Sequence, residues 1–233
     1  MDSIVVVTGA ARGLGLEMCR QLLAEGRTVV ACPRKGGEPD LERLAGEHSG
    51  RLHIEPMDVG DEASIRDGAG RIGSRVDRVD ILINNAGVYP KIGTVSTGID
   101  SSEMIRAFQV NTLGPLHVVT ALLPLLRKGK DRKLAQITSK MGSIDDNTSG
   151  GSYPYRISKA ALNMAVKNLA HEFGPEGFIA LTIHPGWVQT RMGTDAAPLE
   201  LGAGAADILK TIREATGSDN GAFIGPGQER LPW

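Results

Sequence analysis

The chain has 233 residues, 41% of them hydrophobic, and a formal net charge of −1. This length is enough for one large domain with a full core, and the balanced charge argues against nucleic acid as a main partner. Its two cysteines, Cys19 and Cys32, are too few for a disulfide framework, so we expect them reduced and buried in a cytoplasmic protein. No apolar run approaches the ~20 residues of a membrane span, so we expect no membrane partner. Because the start of the chain leads straight into an apolar run, we also expect no signal peptide.

The first predicted element is a buried strand that leads into a glycine-rich turn and a helix. Ile4 is followed by three valines, and glycines stand at positions 9, 13 and 15, where the backbone turns sharply. Helical spacing of apolar residues resumes at Leu14. This geometry presents free N–H groups and a positive dipole end to a phosphate. The spacing Gly-x-x-x-Gly-x-Gly differs from the commoner dinucleotide motif, and a flexible glycine turn is the alternative interpretation.

The remaining predicted elements alternate between strands and helices. Strands are expected at 28–32, 51–57, 80–84, 134–138, 179–183 and 222–224, and helices at 40–46, 62–76, 102–111, 113–126, 153–173 and 199–215. Asp40 and Asp61 are the expected N-caps of the helices at 40–46 and 62–76. The alternation predicts an α/β fold, a doubly wound parallel sheet with helices on both faces, in one domain spanning 1–233. Ligands bind such sheets at the carboxyl ends of the strands.

One pair of residues on the long helix at 153–173 has the spacing of an acid–base site. Tyr155 and Lys159 are four residues apart and therefore share a helix face. A phenol has a pKa near ~10, and an ammonium one turn away lowers that pKa toward the working range. An ordinary helix face is the alternative, because the spacing is common by chance.

The polar and glycine motifs follow one another in a recognisable order. They are Thr8 to Gly15, then Asp58, Asn84-Asn85-Ala86-Gly87, Asn111, Ser139, Tyr155 with Lys159, and Pro185-Gly186 with Thr190. This order resembles the short-chain dehydrogenase/reductase family, whose Rossmann-type fold agrees with the predicted sheet. The stretches 84–88, 141–144, 184–188 and 231–233 look further like the branch of small carbonyl reductases typified by sniffer and the C-factor proteins.

The resemblance implies a role for each of four residues. Tyr155 matches the general acid, and Lys159 matches the lysine that lowers its pKa and holds the nicotinamide ribose. Ser139 matches the serine that fixes the substrate carbonyl, and Asn111 matches the position that holds a water in a proton relay. A polar residue at a kink ahead of Gly114-Pro115 is the alternative interpretation of Asn111. The loop after Ser139 is longer than is usual in the family, so Ser143 remains an alternative to Ser139.

The resemblance also implies a dinucleotide site. Its residues are Gly9, Gly13, Leu14, Gly15, Asp58, Val59, Asn85, Ala86, Gly87, Tyr155, Lys159, Pro185, Gly186, Val188 and Thr190. Asp58 matches the acid that hydrogen-bonds the adenine, although it also suits a cap of the turn at Gly60. Asn84 and Asn85 are expected to be more structural than catalytic.

The choice between NADP and NAD is predicted from charge. An NAD site requires an acid at the end of the second strand, about 20 residues after the glycines. Here that place is taken by Cys32-Pro33-Arg34, and Arg12 lies within the glycine turn. Two guanidinium groups suit a 2′-phosphate, so we expect NADP(H) as the cofactor, with NAD less favoured. The alternative is that Arg34 is a solvated loop charge.

These observations predict an oxidoreductase that reduces a small carbonyl compound or oxidises the matching alcohol. A dinucleotide-binding regulatory protein without essential turnover, and a lyase or epimerase on the same fold, remain alternatives. The substrate pocket is expected between 88–95, 141–152 and 187–198. The five histidines lack metal-ligand spacing, so no metal is expected. The apolar segments 102–111 and 113–126 correspond to helices that pair family members, which favours a homodimer.

Overall fold

The computed structural model describes residues 3–90 and 94–233, and its central feature is a seven-stranded parallel sheet. The strands are β1 (Ile4–Thr8), β2 (Thr28–Cys32), β3 (Leu52–Ile54), β4 (Ile81–Asn84), β5 (Lys133–Ile137), β6 (Ile179–Ile183) and β7 (Ala222–Ile224). Their order is β3-β2-β1-β4-β5-β6-β7, and each neighbouring pair is parallel. The chain changes direction across the sheet between β1 and β4, which is where such sheets bind ligands.

Helices cover both faces of the sheet. They are α1 (Gly13–Ala24), α2 (Pro39–Glu47), α3 (Glu62–Arg75), α4 (Ser101–Phe108), α5 (Gly114–Leu126), α6 (Tyr153–Phe173) and α7 (Leu201–Glu214). Val5 and Val7 pack with α1, α2 and α7, whereas Val6 packs with α3, α5 and α6. Alternate residues of β1 thus pack in two separate cores, one on each face of the sheet, as expected of a strand buried on both faces. The predicted fold class is confirmed.

Several predicted boundaries were wrong in detail. The cap of α2 is Glu38, with Pro39 in the first turn, so Asp40 lies inside the helix instead of capping it. Proline suits that position because it has no N–H to leave unpaired. The strand expected at 51–57 is only Leu52–Ile54. Asp61 does cap α3, since its side chain accepts a hydrogen bond from the N–H of Ala63.

The two helices expected at 102–111 and 113–126 are joined in the structure. A π-helical turn, Gln109–Leu113, connects α4 to α5, and such turns are frequent at functional sites. The joined helix Ser101–Leu126 is long and apolar enough to span a membrane by length and composition alone, contrary to our expectation. Val118, Leu122 and Leu126 of its α5 part are buried in the core beside the sheet. A core helix acquires apolar composition in this way.

The structure also shows the surroundings of the two cysteines and of the metal-ligating residue types. Cys19 and Cys32 are free and buried, and burial raises the pKa of the Cys32 thiol to about 12. Among residues 3–90 and 94–233, no three His, Cys, Asp or Glu side chains form a group that suits a metal ion.

Candidate active site

The glycine turn is fastened to the loop after β4 by two polar side chains. The Thr8 hydroxyl accepts hydrogen bonds from the backbone N–H groups of Asn85 (3.0 Å) and Ala86 (3.1 Å). The Asn85 amide in turn donates to the carbonyls of Thr8 (3.0 Å) and Gly9 (3.3 Å). The Asn85 side chain therefore holds the glycine turn in place, while Thr8 has a role that sequence reasoning did not assign to it.

Two of the predicted glycines have no room for a side chain. A Cβ on Gly9 would lie 2.8 Å from the Cα of Ala86, and a Cβ on Gly15 would lie 2.4 Å from the carbonyl oxygen of Gly9. Gly9 and Gly13 also have left-handed backbone angles, with φ of 66° and 55°. The alternative of a merely flexible turn is thereby disfavoured, because the close packing itself requires glycine.

The N-terminus of α1 is available to an anion. Arg12 is its N-cap residue, and its side chain makes no capping hydrogen bond. The first N–H groups of a helix lack intrahelical partners and carry the positive dipole end, so they suit a phosphate. Leu14 lies in this first turn and packs partly against the core. The residues present therefore fit a dinucleotide pyrophosphate at this place.

The end of β2 lies directly against the glycine turn. The Cys32 carbonyl accepts hydrogen bonds from Gly9 N–H (2.9 Å) and Ala10 N–H (3.4 Å). Arg34 follows two residues later and is exposed, as is Arg12. Neither guanidinium makes a hydrogen bond or ion pair within residues 3–90 and 94–233, so both are available to a ligand. No acid occupies the end of β2.

The loop after β3 is held against the π-helical turn. The Asp58 carboxylate accepts a hydrogen bond from Gly60 N–H at 3.0 Å, so it caps the turn as the alternative interpretation proposed. A Cβ on Gly114 would lie 2.4 Å from the Val59 carbonyl oxygen. Val59 is buried, whereas Asp58 is only partly so. This packing fixes the Asp58–Val59 loop at the carboxyl edge of the sheet.

Asn111 is buried in the π-helical turn and clamps the backbone after β4. Its side-chain oxygen accepts a hydrogen bond from Val88 N–H (2.8 Å), and its amide donates to the Val88 carbonyl (2.9 Å) and the Ser158 hydroxyl (3.0 Å). A Cβ on Gly87 would lie 3.3 Å from the Asn111 oxygen and 3.7 Å from Lys159 Nζ. Gly87 therefore lies between Asn111 and Lys159. The polar atoms of the Asn111 side chain are already hydrogen-bonded to Val88 and Ser158.

Ser139, Tyr155 and Lys159 come together at the carboxyl end of β5. All three are buried, with Tyr155 7% and Lys159 4% exposed. Lys159 Nζ donates to the Ile137 carbonyl at 2.8 Å and lies 5.8 Å from the centre of the Tyr155 ring. The structure thus brings Tyr155 and Lys159, which share a helix face, close to Ser139, which follows β5.

The pKa values at this site differ from the expected ones. Burial raises the pKa of Tyr155 to about 12, and a hydrogen bond with the Ser139 side chain acts in the opposite direction. Burial also lowers the pKa of Lys159 to about 8. We expected Lys159 to lower the pKa of Tyr155. In this structure desolvation of the Tyr155 phenolate dominates. The Lys159 ammonium donates its hydrogen bond to the Ile137 carbonyl.

The structure distinguishes between the two serine candidates. Ser139 accepts a hydrogen bond from Met141 N–H at 3.1 Å and also interacts with the Tyr155 phenol. Ser143 is buried as well, but its hydroxyl accepts from the N–H of Asp146 at 3.0 Å, within its own loop. Ser139 is therefore the serine associated with Tyr155.

The loop after β6 faces the glycine turn. Gly186 has a left-handed φ of 81° and follows Pro185 directly. Val188 is buried, and its side chain would lie 2.8 Å from a Cβ on Gly204 of α7, so it anchors the loop. A Cβ on Gly13 would lie 3.8 Å from the Thr190 methyl group, which places Thr190 beside the glycine turn.

The expected pocket walls carry several exposed apolar side chains. Tyr89, Val95, Ile144, Trp187 and Met192 are each 40–80% exposed. Residues 91–93 of the first wall lie outside the described residues. Sequence reasoning placed position 89 in this wall but missed that the Tyr89 ring packs on Tyr155, with centroids 4.6 Å apart. Its only signal was an aromatic residue two positions after Gly87.

Comparison with known proteins defines the class. The family model for short chain dehydrogenases matches residues 3–200, and the chain therefore belongs to the short-chain dehydrogenase family. The C-signal protein of Myxococcus xanthus is 44% identical over 155 residues, covering 66% of this chain and 93% of that protein.

Solved structures show the same architecture. Carbonyl reductase Sniffer of D. melanogaster matches with a TM-score of 0.93 and 34% identity over 100% of both chains. An NADPH-bound carbonyl reductase from chicken fatty liver matches with a TM-score of 0.93 and 32% identity, over 99% of this chain and 94% of that one. The predicted likeness to the sniffer and C-factor branch is confirmed.

Proposed function

We propose that the chain is a single-domain NADP(H)-dependent oxidoreductase that reduces a small carbonyl compound or oxidises the matching alcohol. The observation that carries this proposal is the buried group of Ser139, Tyr155 and Lys159 beside Gly87, at the edge of the sheet where the glycine turn also lies. A pure binding protein has no need of a buried phenol with a buried serine and a buried lysine in the same group. Carbonyl reductases among its structural neighbours support the same activity.

The state of the phenol suits the reducing direction. With a pKa raised to about 12, Tyr155 is protonated at neutral pH and holds the proton that a reduced carbonyl oxygen requires. Ser139 donates a hydrogen bond to the same oxygen and stabilises the charge that develops there. Lys159 holds the nicotinamide ribose hydroxyls. When bound, the dinucleotide supplies or accepts the hydride.

We assign the cofactor site to residues at the carboxyl edge of the sheet. The N-terminus of α1 and the crowded glycines receive the pyrophosphate, and the Asp58–Val59 loop receives the adenine. Arg12 and Arg34 bind the 2′-phosphate, because both are exposed and make no ion pair with the described residues. The NADPH in the chicken carbonyl reductase supports this choice of cofactor.

We further propose a cytoplasmic homodimer. Free, buried cysteines are typical of a reducing compartment. We expected a dimer through the segments 102–111 and 113–126, but Val119, Leu122 and Leu126 of the second segment are buried within the chain. Among the described helices, the exposed large apolar side chains lie instead on α4 and α6, where Ile105 and Met164 are 60% and 63% exposed. A shallow depression of about 370 Å³ lies between these helices.

A regulatory protein that binds the dinucleotide without essential turnover is the second candidate. The observation that favours it is the 44% identity to the C-signal protein of Myxococcus xanthus. The two functions differ in net cofactor consumption, which a binding protein does not require.

The deciding experiment follows the loss of NADPH absorbance with a panel of aldehydes, ketones and quinones. We expect steady consumption with at least one carbonyl compound, and slower consumption with NADH. Tight NADPH binding without consumption across the panel would contradict the reductase and favour the binding protein. Conversion of a substrate without net NADPH loss would favour a lyase or epimerase.

A further inference from the structure

Tyr89 lies in direct contact with the phenol to which we assign proton transfer. The two rings have centroids 4.6 Å apart and planes inclined at 50°. Tyr89 is 40% exposed, whereas Tyr155 is 7% exposed. The Tyr89 ring therefore lies on the solvent side of Tyr155 and excludes water from the ring face that it covers. The roles assigned above to the loop after β4 concern the dinucleotide and do not include this contact.

The Tyr89 hydroxyl makes a second contact, at the start of the helix that carries Tyr155. It lies 2.8 Å from the Ser152 hydroxyl, and Ser152 is the N-cap residue of α6. Gly150, Gly151 and Ser152 all have left-handed backbone angles, and Ser152 is the one of the three that carries a side chain. That conformation is disfavoured for a residue with a Cβ, so it persists where surrounding contacts hold it.

The backbone beneath Tyr89 is also fixed. Both the N–H and the carbonyl of the preceding residue, Val88, are hydrogen-bonded to the Asn111 side chain, at 2.8 and 2.9 Å. Asn111 is fully buried in the π-helical turn. Tyr89 thus follows a residue whose backbone is fixed by Asn111. Its ring contacts Tyr155, and its hydroxyl is hydrogen-bonded to Ser152 at the start of α6.

We propose that Tyr89 is a positioning residue for carbonyl reduction: its ring shields Tyr155 from water, and its hydroxyl holds Ser152 and hence the start of α6. This inference rests on the proposed reductase function. It assigns no direct chemistry to Tyr89, which acts through Tyr155.

The groups that face Tyr155 determine how its titration responds. They are Lys159 on its own helix, Ser139 after β5 and the Tyr89 phenol after β4. Burial is the largest cause of the raised pKa of Tyr155. Removing the Tyr89 ring admits water to the phenolate and must lower that pKa, whereas keeping the ring without its hydroxyl preserves the shielding.

A titration of Tyr155 tests the shielding without any need for turnover. The chain has three tyrosines, so a Tyr89→Phe, Tyr153→Phe protein leaves Tyr155 as the single phenol, and so does Tyr89→Leu, Tyr153→Phe. Labelling the Cζ carbon of tyrosine with carbon-13 makes its NMR shift report ionisation. We expect the Leu-containing protein to titrate at lower pH than the Phe-containing one. Equal midpoints, or a higher midpoint for the Leu variant, would overturn the shielding role.

Kinetics test the positioning role. Tyr89→Leu should lower kcat about 10-fold, a fraction of the ~100-fold that misplacing a reacting group by about 1 Å costs. The dissociation constant of NADPH should remain within about 2-fold of wild type, because Tyr89 does not belong to the assigned cofactor residues. Tyr153→Phe is the matched control, because Tyr153 lies on the same helix as Tyr155 and is 37% exposed. This control substitution should leave kcat unchanged.

A double-mutant cycle tests the hydroxyl contact. Tyr89→Phe and Ser152→Ala should each lower kcat about 5-fold, the effect of one hydrogen bond, and the double variant should lose no more than either alone. If the fold-losses of the two single variants multiply in the double variant, the assigned contact between the two hydroxyls is wrong. A wild-type protein that reduces no carbonyl would contradict the proposed function instead, while the titration would still decide whether Tyr89 shields Tyr155.

Discussion

The buried ammonium of Lys159 should reduce the stability of the folded protein, and this cost is open to measurement. Its pKa is lowered from 10.5 to about 8 by burial. Each unit of pKa corresponds to about 1.4 kcal/mol, so near neutral pH the charged lysine costs the folded state about 3 kcal/mol. Lys159→Met removes this cost but leaves the Ile137 carbonyl without its donor, a loss of about 1 kcal/mol. We therefore expect the variant to be more stable than wild type by about 2 kcal/mol.

The lowered pKa of Lys159 also predicts how the stability of the folded protein changes with pH. The folded-state pKa of Lys159 lies below the unfolded-state value, so between the two the unfolded chain binds the extra proton and stability rises with pH. The cost of the charge falls from about 3 kcal/mol at about pH 6.5 to about 1 kcal/mol at about pH 9.5. The stability advantage of Lys159→Met should narrow by the same ~2 kcal/mol over that range.

Urea unfolding, followed by circular dichroism at both pH values, measures these free energies. Lys128→Met is the matched control, because Lys128 is exposed and its replacement changes the net charge equally. A Lys159→Met protein less stable than wild type at pH 6.5 would refute the reasoning. So would an advantage over Lys128→Met that stays constant with pH.

Three further predictions concern the cofactor, the serine and the assembly. Arg34→Ala should weaken NADPH binding about 10- to 150-fold and leave NADH binding nearly unchanged, measured by titrating both cofactors; equal weakening of both would show that Arg34 does not contact the 2′-phosphate. Ser139→Ala should lower kcat about 100-fold, far more than Ser143→Ala, because only Ser139 interacts with the Tyr155 phenol; the reverse order in a parallel assay would transfer the role to Ser143. Light scattering should show that the wild-type protein is a dimer and that a variant carrying both Ile105→Glu and Phe108→Glu is a monomer, because burying a charged side chain in an apolar interface is costly. A wild-type monomer at micromolar concentration would refute the homodimer.

Predictions from the sequence succeeded where local pattern and packing agree. The valines after Ile4 specify a strand with both faces buried, and β1 is such a strand. The crowding around Gly9 and Gly15 explains why the glycine spacing alone was informative. Helix boundaries were less reliable, since Pro39 moved the start of α2 ahead of Asp40, a cap that the local sequence suggested.

Features that depend on distant contacts were beyond the sequence. The π-helical turn at Gln109–Leu113 has no spacing signal, and it is what brings the Asn111 side chain to Val88. The pKa of Tyr155 was predicted to fall because only the spacing to Lys159 was visible. The burial that raises it arises from segments far apart in the chain, including Tyr89.

The apolar surface of the helices is a similar case. The apolar segment 113–126 was expected to lie in a dimer interface, yet Leu122 and Leu126 are buried in the core next to β4 and β5. The exposed apolar residues lie on α4 and α6 instead, where Phe108 and Ile157 are 40% and 47% exposed. Periodicity identifies a buried face but does not say which neighbour buries it.

The account depends most on Tyr155 as the group that gives the carbonyl oxygen its proton. The most direct test compares single-turnover reduction by wild type and Tyr155→Phe with a carbonyl substrate found in the NADPH panel. The rate should fall by two orders of magnitude or more (about 100-fold), because general acid catalysis contributes that much, while the dissociation constant of NADPH stays within about 2-fold. A variant that retains a tenth or more of the wild-type rate (~10-fold loss or less) would contradict the assignment.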